Sequence, residues 1–226
     1  MFQRTRNNIL SVIFAVALVI LIITFSIGLP IYQRWFYYIH VDTLDMPEKS
    51  GFTRDEIIEA YDDVLDFLTV PGNEFGTGKL LHSEEGKGHF EDCKVLFDLN
   101  KNALVLSFIT VILLSFLDKI GVISLARPFG FRLSFWSSVT TLSLFGIIGA
   151  LCAVDFSNAF TIFHQIFFPG KSNWRFDPYT DEIIRVMPEK FFMDCAILIC
   201  ASILLISAIL IVRGAIKRRN DYDWRV

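Results

Sequence analysis

Apolar residues come in long blocks along this chain. Ile9 to Leu29 is uncharged and strongly apolar. Ala103 to Leu117 forms a second block, which Ile120 to Ala126 extends past Asp118 and Lys119. Leu133 to Val154 and Phe191 to Val212 are the third and fourth. A run of roughly 18 or more apolar residues is long enough to cross the hydrocarbon core as a helix. The pattern predicts four spans, at about 9–29, 103–124, 133–154 and 191–212, in one all-α membrane domain covering 1–226.

Two segments between the blocks are patterned differently. In 30–101, Tyr32, Trp35, Phe36, Tyr37 and Tyr38 form an aromatic cluster of the kind that sits at a membrane–water interface. Thr53 followed by Glu56 reads as a capping box. Ile57, Ile58, Tyr61, Val64, Leu65 and Leu68 then recur at helical spacing, giving an amphipathic helix with an acidic outer face that Pro71-Gly72 ends. Ser83 reads as a helix cap with Glu84 and Glu85 in the first turn, while Gly86 and Gly88 weaken the helix, so its regular part is expected from His89. In 155–190, Phe160, Phe163, His164 and Phe167 share one side of a short helix. Asp177 is expected to cap a further helix starting at Pro178 and running through Met187, with Pro188 opening the next. Together these read as two extracytoplasmic helical loops, the second a folded lid at the outer leaflet.

Composition adds little, since 53% hydrophobic residues is close to a soluble average of about 45–50%. The blocks decide the class. Charge is more informative. The N-terminus, the turn from Lys119 to Arg132 with Asp118 just before it, and the tail after Val212 hold ten of the 21 Lys and Arg but only Asp118, Asp221 and Asp223 of the 24 acids. Segments 30–101 and 155–194 hold the other 21 acids against 11 bases. That asymmetry predicts a multi-pass protein with both termini cytoplasmic. The length of the first block favours a retained anchor over a cleaved signal. No basic, aromatic face suits nucleic acid.

All four histidines, His40, His82, His89 and His164, fall on the outer side of this topology. His89 and His164 are the candidates for chemistry, each beside a span and near a carboxylate: Asp92 for His89 and Asp155 for His164. An imidazole exchanges protons near neutral pH. The same placement suits inert interfacial histidines, and spacing alone does not choose. His89, Asp92 and Cys93 share a helix face and Lys94 follows. The four cysteines have no metal spacing. A metal site from His82, His89, His164 and Glu85 is a further alternative, as is a non-enzymatic lid that binds an extracytoplasmic partner.

The pattern F-x-x-F-H-x-x-F-F from Phe160, then N-W-x-F-D-P-x-x-D-x-I-I, then P-x-x-F-F-x-D, resembles the bacterial lipoprotein intramolecular transacylase family. The stretch from Ser83 to Lys94, S-x-x-x-x-x-H-F-x-D-C-K, is similar to that family's first histidine motif, with Phe90 and Cys93 as conservative departures and Gly86 where an acid is expected. The resemblance implies an acyltransferase of the bacterial cytoplasmic membrane with an outward-facing site. It implies that the sn-2 acyl chain of a diacylglyceryl lipoprotein moves to the α-amino group of its N-terminal cysteine. His89 and His164 would be catalytic, with Asp92, Lys94, Asp155, Phe163, Phe168 and Trp174 binding substrate or supporting them. Diacylglyceryl lipoproteins and membrane lipid would be the partners, with neither cofactor nor acyl-enzyme needed. A metal-dependent membrane hydrolase and a non-enzymatic binding protein remain the alternatives at this point.

Overall fold

A computed structural model of the chain describes residues 2–223, with side chains from Gln3 to Arg218. Trp224, and the side chains of Arg219 and Tyr222 in the basic tail, lie outside the described residues. The order of elements is α1 (Phe2–Tyr32), α2 (Arg34–Thr43), α3 (Met46–Ser50), α4 (Arg54–Thr69), α5 (Glu84–Lys119), a 3-10 turn (Pro128–Gly130), α6 (Leu133–Val154), α7 (Phe156–Phe167), α8 (Ile183–Val186) and α9 (Glu189–Asp223). No strand occurs among the described residues. Four of these helices, α1, α5, α6 and α9, are long and apolar enough to cross a membrane. The chain divides into two compact units, and all four long helices contribute to both.

Unit 1 comprises Met1–Ile27, Lys101–Ala150 and Ile199–Val226. Its small core joins Phe14, Leu18, Ile22, Leu114, Ile123, Leu133 and Ile203. Small polar residues complete the helix contacts, as expected where lipid replaces water as solvent. Ser137 Oγ donates to Ala15 O at 3.1 Å, and Ser11 Oγ accepts from Ala126 N at 2.8 Å. The outward faces are apolar instead of charged: Val12, Val16, Leu106, Ile109, Leu113, Ile147, Leu204 and Leu205 are all exposed. That inverted pattern suits hydrocarbon, not water. The second apolar run is shorter than its sequence suggests. α5 stops at Lys119 because Gly121 takes a left-handed conformation (φ 78°) and Val122 N turns back to Leu117 O at 3.0 Å. Residues 120–126 therefore leave the helix, held by Leu125 N bonding Asp118 Oδ1 at 2.8 Å.

Unit 2 comprises Gly28–Asn100 and Leu151–Leu198. The amphipathic helix α4 forms where the capping box places it, with Thr53 and Glu56 bonding reciprocally. Its apolar stripe, from Ile57 to Leu68, packs in a core with Tyr37, Val41, Ile183, Val186 and Phe191. The aromatic cluster after α1 is itself helical, as α2, and Tyr37 is fully buried on it. Tyr37 stacks on Tyr61 with centroids 3.7 Å apart and donates to Val186 O at 2.7 Å. This is how a buried phenol satisfies its polar end. Arg34 pairs with Asp62 and Asp66, so part of α4's acidic face is neutralised from α2.

Candidate functional site

The site is built on the first turns of α5, which a pair of residues far along the chain holds in place. Ser83 caps α5, its Oγ accepting from Gly86 N at 3.0 Å. Asp181, only 5% exposed, accepts from both Ser83 N at 2.8 Å and Ser83 Oγ at 2.9 Å. Next to it, Glu182 N donates to Leu81 O at 3.0 Å and Leu81 N donates to Glu182 Oε2 at 2.9 Å. These four bonds fasten the second hydrophilic segment to the start of the helix that carries His89. They also explain Gly86. A Cβ there would lie 2.0 Å from Asp181 Oδ1, so the space of a side chain is already taken by a carboxylate. α5 accordingly begins at Glu84, not at His89. The helix expected from Pro178 is instead a turn, with Asp177 O accepting from Thr180 N and Asp181 N, and only Ile183–Val186 is helical.

α5 has 36 residues and is about 54 Å long, against a hydrocarbon core of about 30 Å. Its apolar run starts at Ala103, so the turns with His89 and Cys93 lie outside the spanning part. His89 is 6% exposed and His164, on α7, is 7% exposed. Their ring centroids are 5.8 Å apart at 35°. Phe168 is shared between them, edge-on to His89 at 4.9 Å and 5.8 Å from His164. Phe176 packs edge-on to His89 at 5.5 Å, and Trp174 stacks on His164 at 4.6 Å and 25°. Phe163 lies edge-on to His164 at 5.4 Å and is itself 45% exposed.

Hydrogen bonds distinguish the two imidazoles. His164 Nδ1 lies 2.7 Å from Phe160 O, so Nδ1 carries the proton and Nε2 presents a lone pair. No side chain or backbone group among the described residues bonds that Nε2. His89 Nε2 lies 3.4 Å from Cys93 Sγ, while its Nδ1 is buried with no partner. Burial pushes the Cys93 thiol up to about 12, with Asp92 adding to the shift, so the sulfur keeps its proton. Burial pushes His89 down to about 4, His164 and Lys171 reinforcing this and Asp92 opposing it. Burial lowers His164 as well, against the bond to Phe160 O. Both rings are therefore neutral at pH 7.

Three of the residues singled out in the sequence are placed otherwise than their neighbours in the chain suggest. Asp92 does not bond His89. It pairs with Lys171 and accepts from Asn173 Nδ2 at 3.3 Å, which tie the loop after α7 to α5. Burial works against its ionised form, yet these two partners hold its carboxyl below the usual carboxylate range. Asp155 is not a partner of His164. It caps α7, accepting from Asn158 N at 3.0 Å. Lys94 serves α4: its ammonium bonds Phe67 O and sits 4.7 Å over the Phe67 ring. Lys171 is the member the sequence did not single out, while Asn173, Phe176 and Asp181 stand in the family-like motif with no site role assigned to them there. Of the other histidines, His82 faces Thr77 Oγ1 at 2.9 Å and His40 faces Asp194 Oδ2 at 3.2 Å, both away from the pair. Among the described residues, no three His, Cys, Asp or Glu side chains converge as a metal site.

A family model described as lipoprotein intramolecular transacylase Lit matches residues 12–192. An uncharacterised protein of Aquifex aeolicus is 27% identical over 142 residues, which cover 63% of this chain and 60% of that protein. The chain thus spans less than two thirds of that curated relative. Among solved structures, the membrane-integral lipoprotein intramolecular transacylase Lit from Bacillus cereus shares the fold at a TM-score of 0.86 and 23% identity, covering 96% of this chain and 99% of that one. A variant of that protein with one histidine replaced by arginine matches at a TM-score of 0.80 and 21% identity, covering 100% of this chain and 97% of that one.

Proposed function

Because this chain belongs to the lipoprotein intramolecular transacylase family, we propose that it moves the sn-2 acyl chain of a diacylglyceryl lipoprotein to the α-amino group of the same N-terminal cysteine, leaving a lyso lipoprotein. The observation that carries this reading is the pair of buried neutral imidazoles 5.8 Å apart, each with an unpartnered nitrogen.

The two nitrogens take different roles. In this reading the protonated Cys93 thiol is the donor to His89 Nε2, 3.4 Å away, and the ring proton sits on Nδ1. A buried N–H without a partner is a donor waiting for an acceptor, and a developing oxyanion is the acceptor that rewards it most. His164 Nε2, with its lone pair free, is the base. The substrate amine, with a pKa of about 7.7–8.0, has an appreciable neutral fraction at pH 7. It attacks the ester carbonyl carbon; the C–N bond forms and the electron pair moves to oxygen, which His89 Nδ1–H stabilises. The nitrogen, now cationic, gives a proton to His164 Nε2. As the tetrahedral centre collapses, the bond to the glyceryl oxygen breaks and that oxygen takes the proton back from His164. Nucleophile and electrophile belong to one substrate, so positioning supplies much of the rate. Phe168, Phe176 and Trp174 surround the imidazoles with apolar surface that keeps out water, whose attack would give hydrolysis. Asp92 supports the site by anchoring Lys171 and Asn173.

The charge asymmetry supports a location in the bacterial cytoplasmic membrane with both termini cytoplasmic and the site facing outward. The test of the reaction is a diacylglyceryl lipopeptide supplied with a free or an acetylated α-amine. Only the free amine is expected to yield lyso product. His89→Ala and His164→Ala are each expected to lower the rate by about 10²–10⁴. Equal loss of the sn-2 chain from both peptides would make the protein a hydrolase.

A further inference from the structure

Within unit 1, and apart from the histidine pair, Arg132, Ser134, Leu210, Arg213, Gly214 and Lys217 line one crevice. Leu210, Arg213, Gly214 and Lys217 recur at helical spacing, so they form one stripe on α9. Ser134 lies in the first turn of α6 and Arg132 immediately precedes that helix. The two helices meet closely here because residue 214 is glycine: a Cβ would lie 3.1 Å from Phe135 Cβ. That approach brings a third cation, Arg132, against two already spaced i, i+4 on α9. Like charges at that spacing repel. Arg218, next along α9, is held apart from them, 4.3 Å over the Phe131 ring. Among the described residues, no carboxylate lies within ion-pair distance of Arg132, Arg213 or Lys217.

A general excess of cations beside a span would orient the protein without gathering them. Convergence on one crevice at the cost of mutual repulsion is the arrangement of a counter-ion site. The other wall of the crevice narrows the ligand class. Leu210 lies one turn deeper into the apolar run of α9 than Arg213, so the crevice is cationic at one end and hydrocarbon at the other. We propose that this crevice binds an anionic phospholipid, its phosphodiester held by Arg132, Arg213 and Lys217 and its glyceryl and acyl portion lying along Leu210. Basic pockets between membrane helices suit such headgroups. Arg offers phosphate a bidentate fork and Lys a point charge.

The test is native mass spectrometry of the full chain in detergent, titrated separately with phosphatidylglycerol, phosphatidylcholine and inorganic phosphate. Phosphatidylglycerol is expected to bind saturably and more tightly than the other two. A cation held directly against the headgroup phosphate is expected to contribute about fivefold in affinity, so Arg132→Gln, Arg213→Gln and Lys217→Gln combined should weaken it about 100-fold. All three side chains are exposed, so the triple variant should elute and melt like the parent. Arg213→Gln alone, at about fivefold, carries the test should the triple variant not accumulate. Removing the same charge elsewhere, by Arg4→Gln, Lys119→Gln and Arg127→Gln, should change the affinity less than threefold. Equal weakening in both triple variants would reduce the effect to net charge and overturn the site. Unchanged binding in the crevice variant would overturn it too. Inorganic phosphate bound as tightly as phosphatidylglycerol would make the ligand a free phosphate and remove the lipid.

Discussion

Acid should unfold this protein partly through one side chain. His89 is 6% exposed, and burial lowers it from 6.5 to about 4. The unfolded chain takes up this proton as pH falls below about 6.5, whereas the folded chain resists until about 4. Between those values the unfolded state binds more protons, so stability falls as pH falls. The contribution is fully present above pH 6.5 and is lost progressively down to about pH 4. At 1.36 kcal/mol per unit, the shift from 6.5 to about 4 is worth about 3 kcal/mol. For a chain of 226 residues that corresponds to about 6–12 °C in Tm. Other groups titrate over the same range, so the perturbation is a comparison: the parent and His89→Gln melted side by side in nonionic micelles from pH 7.5 to pH 4. The parent should lose about 3 kcal/mol more than the variant across that range, most of it below pH 6. Parallel curves would mean that the imidazole is hydrated, and the reading of a neutral, desolvated donor at His89 would go with them.

Gly86→Ala must push Asp181 away from Ser83, and should lower stability by about 1–3 kcal/mol in denaturant titration; a neutral result would show that the strap is loose. Lys94→Gln removes the contact with Phe67 and should cost about 1 kcal/mol, while acyl transfer per folded molecule stays within twofold. Asp155→Ala should behave like any lost helix cap, costing about 1 kcal/mol without a change in the pH dependence of the rate; a changed pH profile would reinstate it beside His164. An alkaline phosphatase fused after Val226 should stay inactive while a cytoplasmic reporter at the same point is active; the reverse would invert the topology.

The spans were legible because solvent sets them: long apolar runs survive any detail of packing, and four long helices resulted. The α4 helix was legible from its capping box and stripe, since both signals are local. The end of α5 was misread because hydropathy does not register Gly121, whose left-handed backbone ends the helix while the side chains stay apolar. At the site, the aromatic surroundings of His164 follow from 3.6-residue spacing on α7. What the sequence could not supply is the set of bonds across 79 to 101 positions: Asp92 to Lys171 and Asn173, Ser83 to Asp181, and Leu81 to Glu182. No local pattern marks such partners. Adjacency in the chain misled in the same way, since Asp155 and Lys94 sit near a histidine in sequence and serve other groups.

The carboxylate beside Gly86 has a consequence for descent. Positions 86 and 181 compete for one volume, so a lineage cannot hold a side chain at the first and an unmoved aspartate at the second. A chain with an acid at 86 would have to give up Asp181 or swing it aside before the exchange became neutral.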